Sequence, residues 1–124
     1  MTDNFAEDKQ RLIQAVLTTP GATDPDLRRA VEARAAALGG RPAPAPATDS
    51  QAGEVPAELT SYVDKVALHA YKVTDADIEG LLQAGYSEDA IFEITLSAAL
   101  GAGLARLERG LEALRDAKQS STPA

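Results

Sequence analysis

Between Ala90 and Ala105 the chain carries one charge, Glu93, while Ile91, Phe92, Ile94, Leu96, Leu100 and Leu104 point in several directions around a helical axis. A helix that is apolar nearly all round must be buried nearly all round. The chain has 124 residues, enough for one domain and hardly for two. Its remaining helices are too short to wrap such a rod completely, so a second subunit is expected to supply the rest of the cover. Small residues recur along the same segment: Ser97, Gly101 and Ala105 on one helical line, Ala99 and Gly103 on another. A glycine inside a helix costs about 1 kcal/mol relative to alanine. A close crossing of two helix backbones along such a line would offset that cost.

The rest of the chain reads as all-α, with about five helices. Aromatic residues are 4% and Trp is absent, which favours helices packed through small side chains over a β-sandwich. Phe5, Leu12, Ile13, Val16 and Leu17 mark a first helix over 4–18, stopped by Thr19-Pro20-Gly21. Asp24-Pro25 opens a second, as an N-cap acid followed by proline at the first helical position. Leu27, Val31 and Leu38 line its inner face, Arg28, Arg29, Glu32 and Arg34 are read as solvated, and Gly39-Gly40 closes it. The segment 41–54, beginning Arg41-Pro42-Ala43-Pro44-Ala45-Pro46, is expected to be a linker, since alternating prolines forbid a helix. Those prolines do not give PxxP spacing, which disfavours a proline-rich ligand. The predicted division is therefore a loosely attached helical pair over 1–40, the linker, a helical half-domain over 55–117, and a disordered tail over 118–124. Within 55–117 a third helix runs to about Tyr71. A fourth begins at Thr74 with Asp77 in a shortened capping box and ends at Gly85. A fifth follows Ser87, with acids at its N-terminus and Arg115 and Lys118 at its C-terminus.

Charge and residue inventory exclude several functions. A net charge of −7 disfavours nucleic acid and anionic lipid as partners. The absence of cysteine removes thiol catalysis, disulfides, Cys-ligated zinc and iron–sulfur clusters. One histidine, His69, rules out a multi-His metal site within the chain, there is no EF-hand pattern, and no cofactor is expected. The longest charge-free run, Ile94 to Ala105, is 12 residues, short of a membrane span. Met1-Thr2-Asp3-Asn4 lacks the basic start and apolar run of a signal peptide, so a cytoplasmic location is expected.

Two residues are candidates for acid–base chemistry. Glu93 in apolar surroundings would have a raised pKa and act as acid or base; as a rim residue near a helix N-terminus it would be charged and solvated. His69 borders the inner stripe of the third helix, as a general base, as a metal ligand at a symmetric interface, or as a half-buried side chain bonded to a carbonyl. Tyr62, Tyr86, Phe92 and Leu96 are candidates to line a small-molecule site. Arg106 is placed to make a polar contact with another helix.

The run from Val73-Thr74-Asp75-Ala76-Asp77-Ile78 through Ala84-Gly85-Tyr86-Ser87 to Ile91-Phe92-Glu93-Ile94 has a further meaning. Together with Leu96 to Leu107 it resembles the C-terminal half of the alkylhydroperoxidase D-like, or carboxymuconolactone decarboxylase, family. There a VTDxDVxxLxxAGxS helix–turn leads into an IxEI helix rich in alanine, ending in a step that Ala105-Arg106-Leu107 partly echoes. The similarity covers about Leu59 to Leu114. It implies an all-helical fold and obligate oligomers. Peroxidase members of the family carry Cys-x-x-Cys, a downstream histidine and an assisting glutamate. This chain has no cysteine, and His69 stands outside any such motif, so no catalytic residue carries over. Three functions stay open: a non-redox homo-oligomeric structural or interaction subunit, a non-thiol enzyme of the decarboxylase type using Glu93 or His69, and a small-molecule binding module at a subunit interface.

Overall fold

A computed structural model of the protein describes residues 2–42 and 54–120. Among these are five α-helices and no strand: α1 (Thr2–Thr18), α2 (Pro25–Leu38), α3 (Ala57–His69), α4 (Asp75–Gln83) and α5 (Glu88–Ser120). A short 3₁₀ turn, Ala70–Lys72, follows α3. Most of the expected linker and the last four residues lie outside the described part, as does the Phe5 side chain. The helix expected to end at about Ala117 continues to Ser120.

Local chemistry sets the helix ends. The Asp24 carboxylate accepts from the Asp26 amide, with Pro25 in the first turn of α2. The Thr74 amide donates to the Asp77 carboxylate at the start of α4. The Ala90 amide donates to the Ser87 hydroxyl at the start of α5. α2 and α4 finish alike. The Arg41 amide reaches back to the Ala36 carbonyl and the Tyr86 amide to Leu81, around Gly40 and Gly85 at φ +108° and +106°. A residue with a Cβ is strained in that left-handed conformation, which is why glycine stands at both turns.

The core is the wedge between α2, α3 and α5, built from Val31, Ala35, Leu59, Val63, Ile94 and Ala98, all essentially inaccessible. α2 makes the most extensive contact with α5. The reason lies in the small residues: Ser97, Gly101 and Ala105 are all buried along this seam. A Cβ on Gly101 would collide with the backbone carbonyl of Glu32, and one on Gly39 would come within 2.8 Å of the Ala102 carbonyl. The close crossing anticipated for α5 is therefore made within the chain. α2, which the sequence places in a separate N-terminal pair, is the principal neighbour of α5. Ion pairs lock the arrangement at its margins: Arg34 grips Asp64 of α3 through two nitrogens, and Arg41 bridges Glu32 and Glu108.

Candidate functional site

The most buried charge among the described residues is Arg28, read from sequence as solvated and found 2% exposed. Its guanidinium donates to the carbonyls of Val16 and Thr19 at 2.7 and 2.6 Å, closing the C-terminal end of α1, and to Thr23 at 3.3 Å. A cation is well placed there, because the last carbonyls of a helix are unpaired and carry the negative end of its dipole. The remaining nitrogen, Nε, makes no hydrogen bond but lies 4.0 Å from Oε1 of Glu93.

Glu93 projects from the second turn of α5 into the α1–α2 loop. Its carboxylate accepts the amides of Ala22 and Thr23 at 2.7 and 2.8 Å and the Thr23 hydroxyl at 2.5 Å. These groups stand about 70 residues away along the chain. Gly21 is required beside them, since a Cβ there would run into the carboxylate. The Thr23 hydroxyl, the two amides and the Arg28 charge hold the Glu93 carboxyl below its ordinary pKa, against a smaller opposing effect of burial. Apolar surroundings alone would raise it. The shift goes the other way because donors converge on it, so Glu93 is a fixed anion and a weak base at neutral pH. Its geometry is that of a clamp between α5 and the first loop.

His69 ends α3 and is exposed, edge-on to the Tyr71 ring with centroids 6.0 Å apart. Arg106 donates to the Ala67 carbonyl near the end of α3, the interhelical contact anticipated for it. That fixes the end of α3 at the level of Arg106, 13 residues along α5 from Glu93, or roughly 20 Å. Glu93 and His69 thus stand at opposite ends of the shared interface. Tyr62 is buried, its hydroxyl 2.6 Å from that of Thr95, and the Tyr86 hydroxyl donates to Glu58 at 2.7 Å. Burial and the Glu58 carboxylate push the Tyr86 pKa up to about 12. Phe92 and Leu96 are exposed on α5. None of these seven candidates lines the surface cleft between α2 and α3 formed by Ala30, Arg34, Val55 and Thr60. Among the described residues no group of three acidic or histidine side chains converges as a metal site.

What these side chains leave uncovered is one face of α5. Phe92 is 65% exposed, Leu96 39%, Leu107 40% and Leu114 54%. They lie on the side opposite the seam with α2. Scattered apolar residues on a surface are ordinary, but a continuous line on one helix is not. By length and composition α5 would suffice to cross a membrane, because an 18-residue window tolerates the few charges that interrupt the 12-residue run considered from sequence. Its other face is packed inside the fold.

No protein-family model matches the chain, no curated protein matches it, and no solved structure matches it.

Proposed function

We propose that this protein is a non-catalytic helical subunit that works by associating with copies of itself, a cysteine-free relative of the alkylhydroperoxidase D-like, or carboxymuconolactone decarboxylase, family. The observation that carries the reading is the apolar stripe left bare on α5 after α2 and α3 have covered its other face. Association removes such a stripe from water at a gain of about 25 cal/mol per Å². The family part is supported by the α4–α5 helix–turn–helix, where the Thr74–Asp77 box and the Gly85 turn occupy the run that bears the resemblance.

A structural role is favoured over catalysis by what the candidate acid–base groups do. Glu93 is spent on holding the α1–α2 loop, and His69 is open to solvent roughly 20 Å away. A cytoplasmic, acidic, self-associating protein is the setting in which these features fit together.

Sedimentation equilibrium of the full chain tests the reading. A mass of twice 12.9 kDa, or a higher multiple, supports it. A single species of 12.9 kDa at all concentrations rejects it.

A further inference from the structure

α1 and α2 are neighbours in sequence but are attached to the molecule in different ways. α2 is locked to α5 by shape, through the contacts at Gly101 and Gly39 where one backbone meets another. α1 has a shallower seat. From Ala6 to Thr18 only Leu17 is buried, with Lys9, Ile13 and Val16 half-buried. Among the described residues the apolar core draws on α2, α3, α4 and α5, and no α1 side chain belongs to it. The side chains of α1 bond within α1: Arg11 pairs with Glu7 and Asp8, and the Thr18 hydroxyl donates to the Gln14 carbonyl.

The polar ties between α1 and the body are gathered at its C-terminal end. Arg28 donates to the Val16, Thr19 and Thr23 carbonyls. Glu93 accepts the Ala22 and Thr23 amides and the Thr23 hydroxyl. All of these bonds fall on residues 16–23. Arg28 stands on α2 and Glu93 on α5, the two helices locked together at Gly101, so the knot is held from a rigid base.

We infer that α1 and the 19–23 loop form a hinged strap, which opens as one unit from a body of α2, α3 and α5 that stays folded, and that Glu93 and Arg28 are the latch that sets how often it opens. The device is internal to one protomer and does not depend on self-association. Two properties of the latch make its release easier than parting the α2–α5 seam. Polar bonds exchanged for bonds to water come close to balance, whereas apolar surface drawn apart does not. The closed state also holds the Arg28 guanidinium 2% exposed, with Nε making no hydrogen bond. Opening returns that charge to solvent, which offsets part of what the broken bonds contributed. Segments with few buried apolar groups are the ones that open while the rest stays folded. Ile13, Val16 and Leu17 share one side of α1 at helical spacing, so the latch governs when this apolar line meets water.

Because the chain has no cysteine, a single introduced thiol reports opening at one position. Leu17→Cys places it at the buried position of α1 and Ala36→Cys at a buried position of α2. Leu17→Cys is expected to react with N-ethylmaleimide at least about tenfold faster than Ala36→Cys and with a shallower dependence on urea. Adding Glu93→Gln is expected to speed the Leu17→Cys reaction by about tenfold. Equal rates for the two thiols, with the same response to urea, make α1 part of one cooperative unit and overturn the strap. A Leu17→Cys rate that Glu93→Gln leaves unchanged takes Glu93 out of the latch and rejects the proposal as well. Hydrogen exchange of the wild-type chain decides the matter if a thiol variant fails to fold. The amides of residues 8–18 are expected to share one opening rate, faster than that of the α2 and α3 amides. A graded loss of protection toward Thr2, with residues 14–18 as protected as α2, is fraying and overturns opening as a unit.

Discussion

Gly101 and Gly103 are two residues apart on one helix and have opposite surroundings. Gly101 is buried, its α-carbon pressed against the backbone of Glu32 so closely that no side chain fits. Gly103 is exposed with open space where a Cβ would stand. The contrast extends to the faces they belong to. One side of α5 carries Ile94, Ala98 and Ala105, fully enclosed by the protomer, and the other carries Phe92, Leu96 and Leu114, open to water. The lesson is that apolar character alone does not say which helix covers a face. Backbone proximity decided the inner face, and the outer face has a similar composition but no neighbour in the chain.

The largest expected effect is on the inner face. Gly101→Val should force α2 and α5 apart, because the obstacle is the Glu32 backbone and cannot rotate away. Overpacking of this kind costs about 3 kcal/mol, and thermal unfolding should show a fall of about 10 °C. Arg28→Ala comes next, at about 2–3 kcal/mol by denaturant titration, because it strips the α1 carbonyls of their donor inside the fold.

Glu93→Gln should cost about 1–2 kcal/mol near neutral pH, since the amide accepts through one oxygen only. It should also flatten the acid limb of the stability profile. The folded carboxyl titrates below its unfolded value of about 4.3, so its contribution is complete above that pH and disappears as pH falls through the folded-state value. Denaturant midpoints measured from pH 6 downward would expose a variant that keeps the wild-type slope, and that outcome would remove Glu93 from the clamp. Smallest and opposite in sign is Gly103→Ala. At concentrations low enough to give monomer it should raise stability by about 0.5–1 kcal/mol, as alanine does in any exposed helix interior. Equal losses for Gly101→Ala and Gly103→Ala would erase the distinction between the faces.

Much of this architecture was legible in the sequence because it is local. Asp24-Pro25, Thr74 with Asp77, Ser87 and the turn glycines bound their own neighbours, and the helices begin and end close to them. The Ser97–Gly101–Ala105 line announced a tight crossing without naming the helix that would fill it. Arg28 and Glu93 were harder. Each was read through its nearest neighbours, Arg28 as a solvated arginine among charges and Glu93 as either a carboxylate among apolar residues or a charged rim residue. Their partners are backbone groups of a loop, and no residue-type pattern advertises a backbone amide. One signal was available: Arg28 stands three residues before Val31 and seven before Ala35, on the inner line of α2. A charge on that line must find partners indoors, and here it finds the end of α1.

Hydrogen exchange along α5 compares the two faces most directly. Wild-type protein and Gly103→Arg should protect the amides of residues 94–102 equally, because α2 and α3 cover them in either case. Only the wild type should protect residues 107–114, where a second copy is required. Equal exchange of 107–114 in the two proteins would contradict the account and leave the outer face of α5 bare.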